Sequence, residues 1–309
     1  MLFQHQVVRD LAWCCSSAPL LADLPSLVNT PGQQISVWPT ETMLDTGWLA
    51  ELDRNPHALL TGLAQLKSTR LGIYYETLWR FYWQHHPRYR LLAHNLQVTE
   101  QGQTLGAFDF IVQEDDTLWH IETAVKFYLG VPAHPAGEWA HWIGPNCNDR
   151  LDIKMARLLD HQLPLRFSDA SQAVLRALTP HDPHWRSAIC LQGYFFYPAH
   201  HTLSAPHNAH PHHQRGRWWY LKDFLRKEAT HYWMILPRHL WLSAAQTDDI
   251  HALIARDSLR AYLSHWVGDK HRPQLIAAMT KDNGIWKETL RGFVVPDHWP
   301  WTDTPSRNT

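Results

Sequence analysis

The chain has little of what most function classes carry on their surface. It has four cysteines among 309 residues, Cys14, Cys15, Cys147 and Cys190. Their spacing fits neither a zinc ribbon nor a disulfide framework, and an adjacent pair is hard to bridge. A reducing cytoplasm is the compartment this usage points to. Charged residues make up only 18% of the chain, which argues against long disordered tails. No apolar run approaches the length of a membrane span, and the opening MLFQHQVVRD lacks a signal peptide's basic end and apolar stretch. No membrane partner is therefore expected. The glycines form no phosphate loop or dinucleotide-binding turn, and neither GxSxG nor HExxH occurs. His120 and Glu122 in HIETA come near the last pattern but lack its second histidine. The net charge of −1 gives no overall basic field, so a nucleic-acid partner would be held by a local patch.

What is present is apolar and aromatic. Apolar residues reach 45%, enough for a sizeable core, and there are 17 Trp and 23 His. Most of these read as core indoles and scattered surface imidazoles. Residues 1–65 read as a helical and irregular region broken by Pro19, Pro25, Pro31, Pro39 and Pro56. In STRLGIYYETLWRFYWQHH, Leu71, Tyr75, Leu78 and Tyr82 recur at helical spacing, with Ser68 or Thr69 as cap and Pro87 as stop. Three strand-like runs follow at 89–98, 105–113 and 118–129, joined by short polar turns, and predict an antiparallel meander. NDRLDIKMARLLDH (148–161) reads as a helix with an apolar face of Leu151, Met155, Leu158 and Leu159. A further helix, SDASQAVLRAL, leads to a strand at 188–198.

The segments expected are therefore 1–65, a core over 66–198, and an α/β lobe or sheet extension over 199–309. In the last, GRWWYLKDF, HYWMILPRHLWLS, RPQLIAAMTK and WKETLRGFVV are strand candidates. TDDIHALIARDSLRAYLSHW reads as a helix capped by Thr247.

Two of the meander's strands place a carboxylate where a buried strand holds apolar groups: Asp109 in LGAFDFIVQ and Glu122 in LWHIETAVKFYL. Isolated buried carboxylates are costly unless paired or metal-bound. In a tight antiparallel pair the two could face each other across one ladder step, which is repulsive without a cation. Oxygen-rich ligands at a sheet edge suit Mg²⁺, which keeps several waters. A half-exposed sheet turning one or both acids to solvent is the plain alternative.

The order helix, three strands, helix, strand resembles the core of the PD-(D/E)XK, restriction-endonuclease-like, nuclease superfamily. LGIYYE sets Glu76 on the first helix. LGAFDFIV has Gly three residues before Asp109, WHIETAVKF is similar to the (D/E)xK strand, and the helix with Arg150 and Lys154 ends in DHQLPL. The whole chain also resembles a bacterial family known as domain of unknown function 1853. The superfamily resemblance covers about residues 66–198. It implies a phosphodiester-cleaving site using Mg²⁺, or Mn²⁺ in its place, with DNA or RNA as partner. Asp109 and Glu122 would hold the metal and Glu76 would support it. Lys126 or Lys154 would stabilise charge on the phosphate, and Arg150 and Arg157 would position the backbone. This sequence departs from the pattern at Ala124, where the superfamily has its lysine. Lys126 lies on the same strand face but roughly 13 Å from the acid along a regular strand. Lys126, brought closer by a bulge, is the preferred substitute, and Lys154 is the second. A non-catalytic nucleic-acid or protein-binding module that kept the fold is the competing expectation.

Three further features have plain readings beside functional ones. Arg150, Lys154, Arg157 and His161 form a basic helical stripe, either a solvated face or a phosphate contact. HHTLSAPHNAHPHHQRG (200–216) could bind Zn, Ni or Cu, but reads as an exposed, poorly ordered polar loop. The runs RFYW and GRWWY, beside Arg80, Arg215 and Arg217, are candidate base-stacking platforms, with core aromatics the favoured reading.

Overall fold

The computed structural model describes residues 3–24, 35–179, 184–228 and 230–301. The described residues form a mixed α/β fold with eight α-helices and strands paired in both senses. The chain divides into two compact units. The first comprises Met1–Val125, Lys154–Gly193 and Asn208–His213; the second comprises Lys126–Ile153, Tyr194–His207 and Gln214–Thr309.

The first unit opens with α1 (Gln6–Cys14), strand β1 (Ile35–Val37), and helices α2 (Thr46–Arg54) and α3 (His57–Ala64). Asp53 near the end of α2 accepts the backbone N–H groups of Gln4 and His5 at 2.7 and 2.9 Å. That supplies the partners which donors at the start of a helix otherwise lack. Helix α4 (Leu71–His85) buries Tyr75, Leu78 and Tyr82 of the expected stripe. It also buries Trp79 and Trp83, stacked 4.9 Å apart. Its N-cap is Arg70 rather than Ser68 or Thr69, with Ser68 Oγ accepting the Arg70 N–H in the preceding turn. The aromatics of RFYW are thus core, as Phe81, Tyr82 and Trp83 are all buried.

Strands β2 (Arg90–Glu100), β3 (Gln103–Glu114) and β4 (Thr117–Gly130) form the expected antiparallel meander. Gln101 and Gly102 turn the first hairpin with positive φ of 50° and 81°, the left-handed pair that a tight hairpin needs. Helix α5 (Leu151–Arg157) begins in the second unit and ends in the first. It passes into one π turn, Leu158–Gln162, closed by Leu163 N–H to Leu158 O at 3.0 Å. Pro164, lacking an N–H, starts a 3₁₀ turn in its place. Helix α6 (Asp169–Leu178) is capped by Ser168 and packs Leu175 against Val98, Phe108 and Ile111. In this unit the strand order is β2–β3–β4–β6, where β6 is His184–Pro198, and β1 adds in parallel on β6.

The second unit contains β5 (Trp142–Ile143), β7 (Arg215–Tyr220), α7 (Leu221–Lys227), β8 (Tyr232–Ile235), β9 (Gln246–Thr247), β10 (Ile254–Ala255), α8 (Arg256–Leu263), β11 (Gln274–Asp282) and β12 (Ile285–Val295). Its strands run β10–β8–β11–β12–β7–β6–β4, and β7 pairs in parallel with both β12 and β6. Trp218 and Trp219 of GRWWY are buried, so this run is core as well.

Several expectations are corrected. The strand candidates GRWWYLKDF and HYWMILPRHLWLS are strand only over Arg215–Tyr220 and Tyr232–Ile235, with α7 following the first and a 3₁₀ turn over Arg238–Leu240 the second. The long helix over 247–266 begins only at Arg256, because Gln246–Thr247 and Ile254–Ala255 are taken into strand pairs with β12 and β8. The histidine-rich segment is not a free loop. Ala209 forms a β-bridge with Leu21, His210 N–H donates to Leu20 O at 3.0 Å, and His213 is buried. Backbone pairing, which its polar composition did not disclose, is what anchors it.

Candidate active site

The candidate site lies in the first unit, where the β3–β4 ladder ends. Paired residues run from Glu114 opposite Thr117 to Phe110 opposite Ile121. One step further, the register brings Asp109 opposite Glu122, and side chains take over from backbone pairing. Asp109 Oδ2 accepts the Thr123 N–H at 2.9 Å and its hydroxyl at 3.4 Å. Glu122 Oε1 accepts the Asp109 N–H at 3.4 Å. The two acids are thus held across one step by each other's backbone surroundings, as the strand pattern predicts.

Glu122 is 0% exposed, a location that requires its charge to be compensated. Its Oε1 also accepts from His120 Nε2 at 2.8 Å, and its Oε2 accepts from Gln162 Nε2. His120 is equally buried, lies edge-on to Phe108, and its Nδ1 has no partner. A proton on Nε2 is what lets His120 donate to the Glu122 carboxylate. Gln162 reaches Glu122 because the π turn adds a residue to the helix end. The Lys154 ammonium donates to Gln162 Oε1 at 3.3 Å, so a relay runs from Lys154 through Gln162 to Glu122.

Burial pushes the Asp109 carboxyl up to about 7, and the charges of Glu122 and Glu76 push the same way. The Thr123 N–H bond and the Lys154 charge oppose them. Three acids therefore share one electrostatic neighbourhood with Lys154. Glu76, on α4, pairs with His94 Nε2 of β2 at 2.6 Å. Gly106, three residues before Asp109, lets Leu165 pack onto β3: a Cβ there would stand 2.9 Å from Leu165 Cδ2.

The remaining expected residues fall elsewhere. The Lys126 ammonium is paired with Asp149, both in the second unit. Arg150 forks Asp152 through Nε and Nη2 at 2.7 and 2.8 Å. Arg157 is exposed. Sequence reasoning missed His120, Gln162 and His94 as partners of the acids. A signal existed for His120, which shares a strand face with Glu122, and for Gln162 in DHQLPL.

As a fit for Mg²⁺, the donor set is two carboxylates. Asp109 Oδ1 takes no hydrogen bond from the described residues, and Glu122 Oε2 has accepting capacity beyond Gln162. Among the described residues no three His, Cys, Asp or Glu side chains converge closely enough to hold a metal. A hard cation that retains much of its water suits such a pair, whereas a closed zinc site does not.

The family model described as Domain of unknown function (DUF1853) matches residues 9–295. No curated protein and no solved structure matches the chain.

Proposed function

The chain belongs to the DUF1853 family, and we propose that it is a Mg²⁺-dependent nuclease with a restriction-endonuclease-like core over residues 66–198. The observation that carries this reading is the pair of adjacent carboxylates at the end of the β3–β4 ladder. Glu122 is fully buried and Asp109 is pushed upward by burial and by its neighbour's charge. Like charges so placed repel unless a proton or a cation sits with them.

In this reading Asp109 and Glu122 hold the cation, Mg²⁺ or Mn²⁺. When bound, the ion supplies charge neutralisation at the scissile phosphate. His120 and Gln162 fix the Glu122 carboxylate, so its orientation does not depend on the ion. Lys154 takes the role that Ala124 leaves vacant, because its charge acts on Asp109 and its ammonium is tethered near Glu122 by Gln162. A cation positioned in advance is worth most where charge develops in the transition state. Glu76, held by His94, adds negative potential and supports the ion at longer range. Arg157 is the exposed basic group available to a nucleic-acid backbone. Lys126 and Arg150, neutralised by Asp149 and Asp152, have lesser parts.

The test is cleavage of labelled DNA and RNA, single-stranded and duplex, with Mg²⁺, with Mn²⁺ and with chelator. Cleavage should require the cation and vanish in Asp109→Asn and Glu122→Gln. Lys154→Met should lower the rate by about 10²–10³, the usual cost of removing one such group. Cleavage that survives both acid substitutions would refute the assignment. One observation favours a second reading, a binding module: both Glu122 oxygens are already bonded by protein groups. Cation-independent nucleic-acid binding without cleavage by the wild type would support that reading instead.

A further inference from the structure

The second unit contains a cavity of about 550 Å³ that the nuclease reading does not use. Its size is that of a small-ligand site. The walls are aromatic and their rings are fixed in place. Tyr262 and Trp266 stack with centroids 6.0 Å apart and planes 11° from parallel. Trp241 donates its indole N–H to Leu236 O at 2.9 Å and stands edge-on to Phe293. Gln274, buried at the start of β11, is tied at both ends of its amide, accepting the Tyr262 hydroxyl at 3.1 Å and donating to Leu275 O at 2.8 Å. Its amide is thus part of the wall rather than an open polar group.

Two guanidiniums complete the lining, and no carboxylate does. Arg272 lies over the Trp266 ring with Cζ 5.4 Å from the centroid, and its backbone N–H is tied to Trp266 O at 3.3 Å. Stacking on a ring holds a guanidinium in place while leaving its in-plane donors available. Arg238 opens the 3₁₀ turn Arg238–Leu240 after Pro237. The lining holds no acid to pair with either guanidinium. Flat apolar walls select a flat ring, and two arginines select an anion, phosphate above all, which they can grip with paired donors.

We propose that this cavity binds a nucleotide, its base against the Trp241 and Trp266 walls and its phosphate on Arg238 and Arg272. The nucleotide is either free or the phosphorylated end of a strand. This assignment is independent of the nuclease site, since every lining residue belongs to the second unit. The sequence reading sought stacking platforms at RFYW and GRWWY. Those indoles are core, and the aromatic–arginine combination is assembled here from segments 235–241, 262–266 and 272–274.

The experiment is calorimetric titration of the full chain in chelator with four probes: AMP, adenosine, inorganic phosphate and a 5′-phosphorylated tetranucleotide. AMP should bind at least tenfold more tightly than adenosine or phosphate. The Arg238→Gln/Arg272→Gln double variant should lose at least tenfold, and Trp241→Leu, which removes a base wall without touching the ring under Arg272, should weaken AMP while leaving the weak phosphate response unchanged. Both arginines are exposed, so the double variant should melt with the wild type, and a matching melt confirms that it is folded. A tetranucleotide that binds more tightly than AMP identifies a strand end as the ligand, and the reverse order identifies the free nucleotide. Glu122→Gln should bind AMP like the wild type, which separates this site from the catalytic one. The proposal is overturned if neither AMP nor the tetranucleotide gives saturable heat, or if binding is unchanged in the double variant.

Discussion

At the scale of single residues, the site is a problem of compensating charge. Glu122 has protein partners on both oxygens, while among the described residues Asp109 accepts the Thr123 N–H and hydroxyl. Burial and the charges of Glu122 and Glu76 push the Asp109 carboxyl up to about 7. Its folded-state value stands above that of the unfolded chain, so the folded state holds the extra proton between about pH 4 and about 7. Stability accordingly falls as pH rises through that window. Asp109→Asn keeps an acceptor for Thr123 and removes the ionisation. The metal-free variant should exceed the wild type in stability at pH 8, by on the order of 1–3 kcal/mol, and the gap should close towards pH 5. Denaturant unfolding at the two pH values checks this, and a pH-independent gap would show that Asp109 does not titrate as described. Added Mg²⁺ should raise the wild-type melting temperature more at pH 8 than at pH 5, because protons compete for the same oxygens. Asp109→Asn should abolish most of that increment.

At the scale of elements, legibility depended on whether a signal was local. The meander was readable because alternation along 89–98, 105–113 and 118–129, with short polar turns, is a local signature of paired strands. The position of Asp109 opposite Glu122 followed from it. The start of α8 was not readable. The apolar periodicity continues back through 247–255, and pairing with β8 and β12 overrides it there. The π turn at Leu158–Gln162 has no periodic signature either, so DHQLPL marks Gln162 as a candidate but does not disclose that it bonds Glu122. The His94–Glu76 pair likewise depends on how α4 meets β2. Gly102 offers a test of the hairpin that sets the register of β3. It has φ of 81°, and nothing lies within 4 Å of a Cβ placed there. Gly102→Ala should therefore cost about 1 kcal/mol by backbone strain alone. Urea unfolding should show that loss with the Mg²⁺ increment intact. A neutral substitution would mean that the turn is less constrained than its dihedrals indicate.

At the scale of the whole molecule, net charge of −1 leaves no general attraction for a polyanion. No described helix is long and apolar enough to cross a membrane. Nucleic-acid binding would rest on a few local cations, Lys154 and Arg157 in the first unit and Arg238 and Arg272 in the second. Arg150 and Lys126 are already neutralised by Asp152 and Asp149. Few phosphates would then be neutralised, and the slope of log affinity against log salt should be shallow, about −1 to −3. Titration of a labelled oligonucleotide between low and moderate salt measures it, and a slope of about −6 or steeper would indicate more phosphate contacts than these four cations can make.

The most direct test of the metal assignment is anomalous diffraction from crystals soaked in Mn²⁺ at pH 8. The expected result is a single strong peak in the first unit, between the Asp109 and Glu122 carboxylates, with the remaining ligands being water. That peak should be absent from Asp109→Asn crystals treated identically. A peak elsewhere with none at this pair, or an unchanged peak in the variant, would contradict the assignment and leave the binding module as the reading to pursue.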